Sequence, residues 1–339
     1  LKKNKLHKKQ FFKNRCQKRL RIRIKRKNKV YNTSFIYKKQ ILKQNPQFKE
    51  IEAPKNLTLK YEEVIETLKF ISNIKRIGNQ GYFIDLKLQK VEKITEGAIS
   101  LLLSIISDLE RQGIFFKGEK PNSFSANKIL ECSGFFEHMD GSISKANKIS
   151  KNKILKTGTK KTNQSELVPE IHSTMDTIWG MKARCPALYG GLGEMMRNTC
   201  DHAFYDDSSV IWHLGISHFE DENTCKYSFV DNGKGIIKTY QKKGIFKKFK
   251  DFFKDNADIL KTAFENGIES RTGLSWRGKG LPTIFEMYKD RIITNFVVIT
   301  NNVYLDFDRK IYKTLPINFS GTYYFWKIDE KCTPSYFKL

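Results

Sequence analysis

The sequence predicts an α/β protein, with a basic arm followed by two modest α/β domains. Three observations predict it. Strand and helix patterns alternate between Leu59 and Cys132. A second set fills the last half of the chain: a strand pattern ends at Asp231, a helix pattern follows Gly280, and a strand pattern covers TYYFWKI. Finally, 339 residues with 39% apolar content are enough for two cores, which argues against disorder throughout.

The arm, residues 1–49, holds nineteen Lys and Arg and no acid, whereas the rest of the chain sets 43 bases against 36 acids. Its charges repel one another and its apolar residues are too few for a core, so alone it should be disordered. It is either a phosphate-binding arm, gaining affinity by counterion release on RNA or DNA, or a solvated basic tail. In the first case Phe11, Phe12, Tyr31, Phe35 and Tyr37 could stack on unpaired bases. No apolar run reaches the ~18 residues of a membrane span and no signal peptide opens the sequence, so a cytoplasmic protein without a membrane partner is expected. The six cysteines have no C-x-x-C pair or zinc spacing and read as reduced, mostly buried thiols.

Residues 50–139 form the first α/β domain. Val64, Leu68 and Ile71 mark an amphipathic helix that Gly78 and Gly81 end; GYFIDLKL alternates as a strand; Ile99, Leu102, Leu103 and Ile106 mark a helix over Glu96–Arg111; IFFKG is a short strand; and Asn127–Cys132 opens a further helix. Residues 140–165 are rich in Ser, Asn, Lys and Gly with little periodicity and read as a linker. Residues 166–339 form the second domain. His172, on its first helix, reads as structural, because a lone His is a weak motif.

Four short stretches of the second domain carry the chemistry. In GGLGEMMRNTCDHA, Glu194, Asn198 and Asp201 share one helical stripe, with Met195, Met196, Cys200 and Ala203 opposite; this is either a solvated polar face or a site. In YSFVDNGKGI, Asp231, Gly233 and Gly235 end a strand, as a hairpin turn or as a site. In WRGKGLP, Gly278 and Gly280 let backbone N–H groups converge ahead of a helix with Pro282 in its first turn, Leu281 follows, and Arg277 and Lys279 add cations. FSGTYYFW places Thr322 on a strand.

In order and spacing these stretches resemble the GHKL (histidine-kinase-like) ATPases, the group of gyrase-type topoisomerases, heat-shock chaperones, sensor kinases and anti-sigma serine kinases. The resemblance covers roughly the last half of the chain. It implies a two-layer α/β sandwich that binds ATP and Mg²⁺, with Glu194 as general base, Asn198 as Mg²⁺ ligand, and Asp201 and His202 extending the box. His202 either touches phosphate or is structural. Asp231 would accept the adenine amine, with Gly233 and Gly235 beside base and ribose. Arg277, Gly278, Lys279, Gly280 and Leu281 would cradle phosphate, and Thr322 would close the floor near Asp231. The basic, aromatic segment between Gly235 and Gly278 resembles the ATP lid, or is an ordinary amphipathic helix. The spelling around Asn198 is similar to anti-sigma serine kinases. The first domain looks like a STAS domain, but Thr95, Glu96 and Gly97 stand where regulatory members carry a phosphorylatable serine, so a docking role is the simpler expectation.

The expected function is a Mg²⁺-dependent regulatory ATPase whose nucleotide state gates a partner docked through the STAS-like domain or the lid. Two alternatives stay open: an anti-sigma-like serine/threonine kinase, and a non-hydrolysing nucleotide-gated subunit of a nucleoprotein complex. A homodimer is also open.

Overall fold

The structure, a computed structural model, describes residues 47–135, 153–159, 167–203, 211–242, 255–267 and 280–333. The chain divides into two compact units, Leu1–Lys49 and Glu50–Leu339. Nearly all of the basic arm lies outside the described residues.

The described residues begin with a three-stranded sheet in the order β1 (Phe48–Glu52), β3 (Phe83–Lys87), β5 (Phe116–Glu119), and a short parallel pair, β2 (Asn56–Leu57) with β4 (Lys93–Ile94). β3 and β5 run parallel, Ile84 opposite Phe116. Helices α1 (Val64–Asn79), α2 (Glu96–Arg111) and α3 (Phe124–Cys132) accompany them. Thr95 is extended ahead of α2, Glu96 sits in its first turn where a carboxylate favours the helix dipole, and Gly113 (φ 88) turns the chain just beyond its end. The sequence pattern marks one apolar stripe on α2, but the helix is buried nearly all round, including Ser100, Leu101, Ser104 and Ile105. A helix buried on every side must have neighbours on every side. On one side stands α1; on the other lies a second sheet.

That second sheet has the order β6 (Lys153–Thr159), β7 (Ile211–Phe219), β8 (Thr224–Asp231), β10 (Ile311–Asp329), β9 (Thr294–Asp306), with every neighbour antiparallel. Side chains alternate between its faces. Tyr324, Trp326 and Ile328 of β10 join one core with α4 (Val168–Trp179), α5 (Pro186–Asn198), α7 (Asn256–Asn266) and α8 (Gly280–Lys289). Tyr323 and Phe325, with Val230 and Ile299, face α1 and α2 instead. The protein is mixed α/β, and its larger sheet is covered on both faces.

One expectation needs correction. β6 lies inside the stretch read as a linker and forms the sheet edge, Leu155 opposite Leu214. An edge strand is recruited by backbone hydrogen bonds to β7, so it needs no strong alternation of its own. Among the described residues no helix is long and apolar enough to cross a membrane.

Candidate functional site

Four predicted stretches meet where the C-terminal ends of α5 and β8 face the start of α8. Pro186 opens α5 at a position where its missing N–H costs nothing, and Leu188, Leu192, Met195 and Met196 bury the helix on its core face. The chain then passes through a π-helical turn, Thr199–Ala203. The wider register takes the residues beyond Asn198 off the α-helical stripe. Thr199 turns inward, its hydroxyl bonded to the Met195 carbonyl (3.0 Å) and within 3.5 Å of the Asp231 carboxylate. Asp201, expected on the stripe with Glu194 and Asn198, is exposed and does not line the cavity described below. The side chain of His202 lies outside the described residues, as do Arg277, Gly278 and Lys279.

Asp231 is the last residue of β8. The chain beyond it does not turn back as a hairpin but enters a short helix, α6 (Ile236–Lys242). Only 4% of Asp231 is exposed. Its carboxylate accepts the Gly233 N–H (2.9 Å), and the Thr322 hydroxyl, directly opposite on β10, donates to it as well. Burial outweighs these bonds and pushes the Asp231 carboxyl up to about 6. A buried carboxylate with donors on one side is poised to take another donor from the cavity. Gly235 has φ 82, and a Cβ there would meet the Asn301 side chain at 2.5–2.8 Å, so only glycine fits. Asn301 itself has φ 53, donates to the Lys234 carbonyl (2.8 Å) and accepts from the Lys238 N–H (3.3 Å).

The most telling approach is that of Gly280. A Cβ on it would lie 3.1 Å from Glu194 Oε2 and 3.3 Å from Asn198 Oδ1, so the first residue of α8 stands against both polar residues of α5. Glu194 pairs with Arg197 (2.6 Å), a partly exposed i,i+3 contact worth only ~0.2–0.5 kcal/mol. Asn198 has a buried amide nitrogen with no hydrogen-bond partner. Because the two ends of an amide exchange by a flip, Asn198 holds one unused polar end, donor or acceptor, at the cavity wall. An orphaned buried amide costs ~1–3 kcal/mol, which a bound polar group would recover.

The cavity is lined by Met195, Asn198, Asp231, Gly235, Ile236, Thr239, Tyr240, Leu281, Thr322 and Tyr324. Five of these are predicted site residues. Its volume is about 50 Å³, against the ~300 Å³ at which ligand pockets begin, so a purine enters only if a wall moves. Three helices border it: α5 through Met195 and Asn198, α6 through Ile236, Thr239 and Tyr240, and α8 through Leu281.

Sequence reasoning missed Thr199, Thr300 and Asn301. Thr300 accepts the Ile236 N–H (2.9 Å) and donates to the Gly321 carbonyl (2.9 Å), tying α6 to the sheet. Single polar residues at strand positions carry no local signal. Part of the lid-like segment also proves to be core: α7 starts at an Asp255 cap and buries Ile259, Leu260, Ala263 and Phe264. His172 borders a separate apolar cavity with Cys185 and Tyr189. Among the described residues no cluster of three or more His, Cys, Asp or Glu could cage a metal, so a cation would need most of its ligands from elsewhere. No protein-family model matches the sequence, and no curated protein matches it.

Proposed function

We propose that residues 166–339 form a GHKL-type ATP-binding domain and that the protein is a Mg²⁺-dependent regulatory ATPase. The observation that carries this reading is the approach of Gly280 to Glu194 and Asn198 beside the cavity that holds Asp231 and Thr322. Four weak motifs far apart in sequence converge on one place, which independent turns and helix faces would not do. Asp231 supplies the acceptor for an exocyclic amine, which adenine has at that edge and guanine lacks. Asn198 would hold Mg²⁺ through its amide oxygen, and the ion would neutralise triphosphate charge while taking its other ligands from phosphate and water. Glu194 is the general base that orients and deprotonates the attacking water.

The position of the STAS-like segment supports hydrolysis over phosphoryl transfer within the chain. Thr95, Glu96 and Gly97 line a cavity with Tyr323 and Phe325, on the sheet face opposite Thr322 and Tyr324. Glu96 is also no phosphate acceptor.

Three substitutions test the assignment together. Asp231→Asn should abolish measurable ATP binding; Glu194→Ala should keep binding and lower turnover by roughly 10²–10⁴; Asn198→Ala should weaken ATP binding more in Mg²⁺ than in EDTA. Normal turnover by Glu194→Ala would reduce that residue to a structural role, and an equal loss for Asn198→Ala in both buffers would remove it from the metal.

A further inference from the structure

Asn232 lies between the base-selecting Asp231 and Gly233, and its amide is used on the far side of the sheet. Its Nδ2 donates to the Ser104 carbonyl (2.9 Å), while its Oδ1 lies 3.3 Å from the Ser104 hydroxyl, whose one hydrogen goes to the nearer Leu101 carbonyl (2.7 Å). Ser104 is fully buried. One helical turn earlier on the same face, Ser100 accepts from Ser228 of β8 (2.8 Å). On the buried face of α2 a short polar stripe therefore runs along β8 and ends at the loop that carries the nucleotide chemistry. The same loop is tied to β10, where the Ser320 hydroxyl donates to the Gly233 carbonyl (3.0 Å). Lys75 of α1 lies within electrostatic reach of Asp231 and of Asp108 on α2.

We propose that the STAS-like segment is a regulatory element of the nucleotide site held in cis, and that Asn232 is the positioning residue that couples them. This rests on the ATP-binding reading. The physical reason is directional: apolar contact between α2 and β8 tolerates sliding, whereas the bond from the Asn232 amide to the Ser104 carbonyl fixes one register. With Asn232 held by Ser104, the Asp231 carboxylate and the Gly233 N–H keep their orientation toward the cavity. A shift of α2 along β8 breaks that hold and loosens the loop, and by linkage a bound nucleotide strengthens the docking of α2 by the same factor.

The test compares Asn232→Ala, Ser104→Ala and Ser100→Ala with the full-length protein, by ATP titration and by amide hydrogen exchange of residues 231–235 without nucleotide. Asn232→Ala should weaken ATP binding about tenfold, within the ~5–150-fold span of known couplings, and speed exchange in the loop. Ser104→Ala should do less, because its backbone carbonyl still accepts Nδ2. Ser100→Ala, which touches no loop residue, should leave both unchanged. The proposal falls if Asn232→Ala matches wild type in both readouts, or if all three variants lose affinity in proportion to their loss of thermal stability. Should Asn232→Ala fail to fold, Asn232→Asp, which keeps the shape and removes the Nδ2 donor, takes its place, and wild-type affinity and loop exchange in that variant overturn the proposal. A wild-type protein that does not bind ATP defeats the ATP-binding reading instead, while loop exchange still shows whether Asn232 holds the loop.

Discussion

Asp231 ties pH to both stability and binding. Burial raises its folded pKa to about 6, above the ordinary 3.8. Protonation therefore favours the folded state: the contribution is fully present below pH 3.8 and is lost as pH rises through about 6. At neutral pH the ionised, buried carboxylate costs about 3 kcal/mol, from a shift of roughly two units at 1.36 kcal/mol each. Asp231→Asn should then be the more stable protein above pH 7, by up to ~3 kcal/mol, with the gap closing towards pH 4; urea denaturation across that range checks it. A variant less stable than wild type at pH 8 would contradict the burial argument. ATP affinity should move the other way and fall below pH 6, because an amine donates more strongly to the ionised carboxylate than to the neutral acid.

At the scale of elements, α7 separates two readings of the segment that resembles an ATP lid. A mobile lid would tolerate truncation of its apolar residues. Phe264 instead meets Phe296, Phe307 and Tyr324 in edge-on contacts, and Asp255 caps the helix with bonds to the Ala257 and Asp258 N–H groups. Phe264→Ala should cost ~3–5 kcal/mol, as a buried aromatic truncation does. A loss below 1 kcal/mol by chemical denaturation would mean that α7 leaves the core easily. The neighbouring α6 has a different job. It hangs from Thr300 and Asn301 and carries Ile236, Thr239 and Tyr240 into the cavity wall, so its displacement would enlarge the cavity.

Across the whole molecule, the larger sheet contributes one face to each of two cores, and neither core is complete without it. Residues 50–135 and the sheet should unfold together, in one calorimetric transition with equal van't Hoff and measured enthalpies. Two resolved transitions would show that the segments fold independently. Expressed alone, residues 166–339 would expose Val230, Ile299, Tyr304 and Tyr323 and should bind a hydrophobic dye. The basic arm calls for a separate experiment. If its lysines and arginines neutralise phosphates, deleting residues 1–46 should weaken RNA or DNA binding and flatten its dependence on salt, at ~0.7–0.9 ions per contact, with ATP binding unchanged. Equal binding with and without the arm would make it a solvated tail.

The sequence by itself determined the local elements and the types of residue at the site. The Glu96–Arg111 helix, the strand ending at Asp231 and the helix following the last glycine of WRGKGLP were all legible, because hydrophobic period and glycine act over a few residues. Tertiary structure alone decided which of those residues meet. Glu194 and Asn198 stand against Gly280, more than eighty residues away, while Asp201 is carried off by a π-turn that no spacing reveals. Ser100 and Ser104 look like flaws in an apolar helix until β8 brings Ser228 and Asn232 against them. β6 shows no clear pattern because its place depends on the unpaired edge of β7. Local periodicity records what a segment buries; only the assembled sheet and helices supply the partner it is buried against.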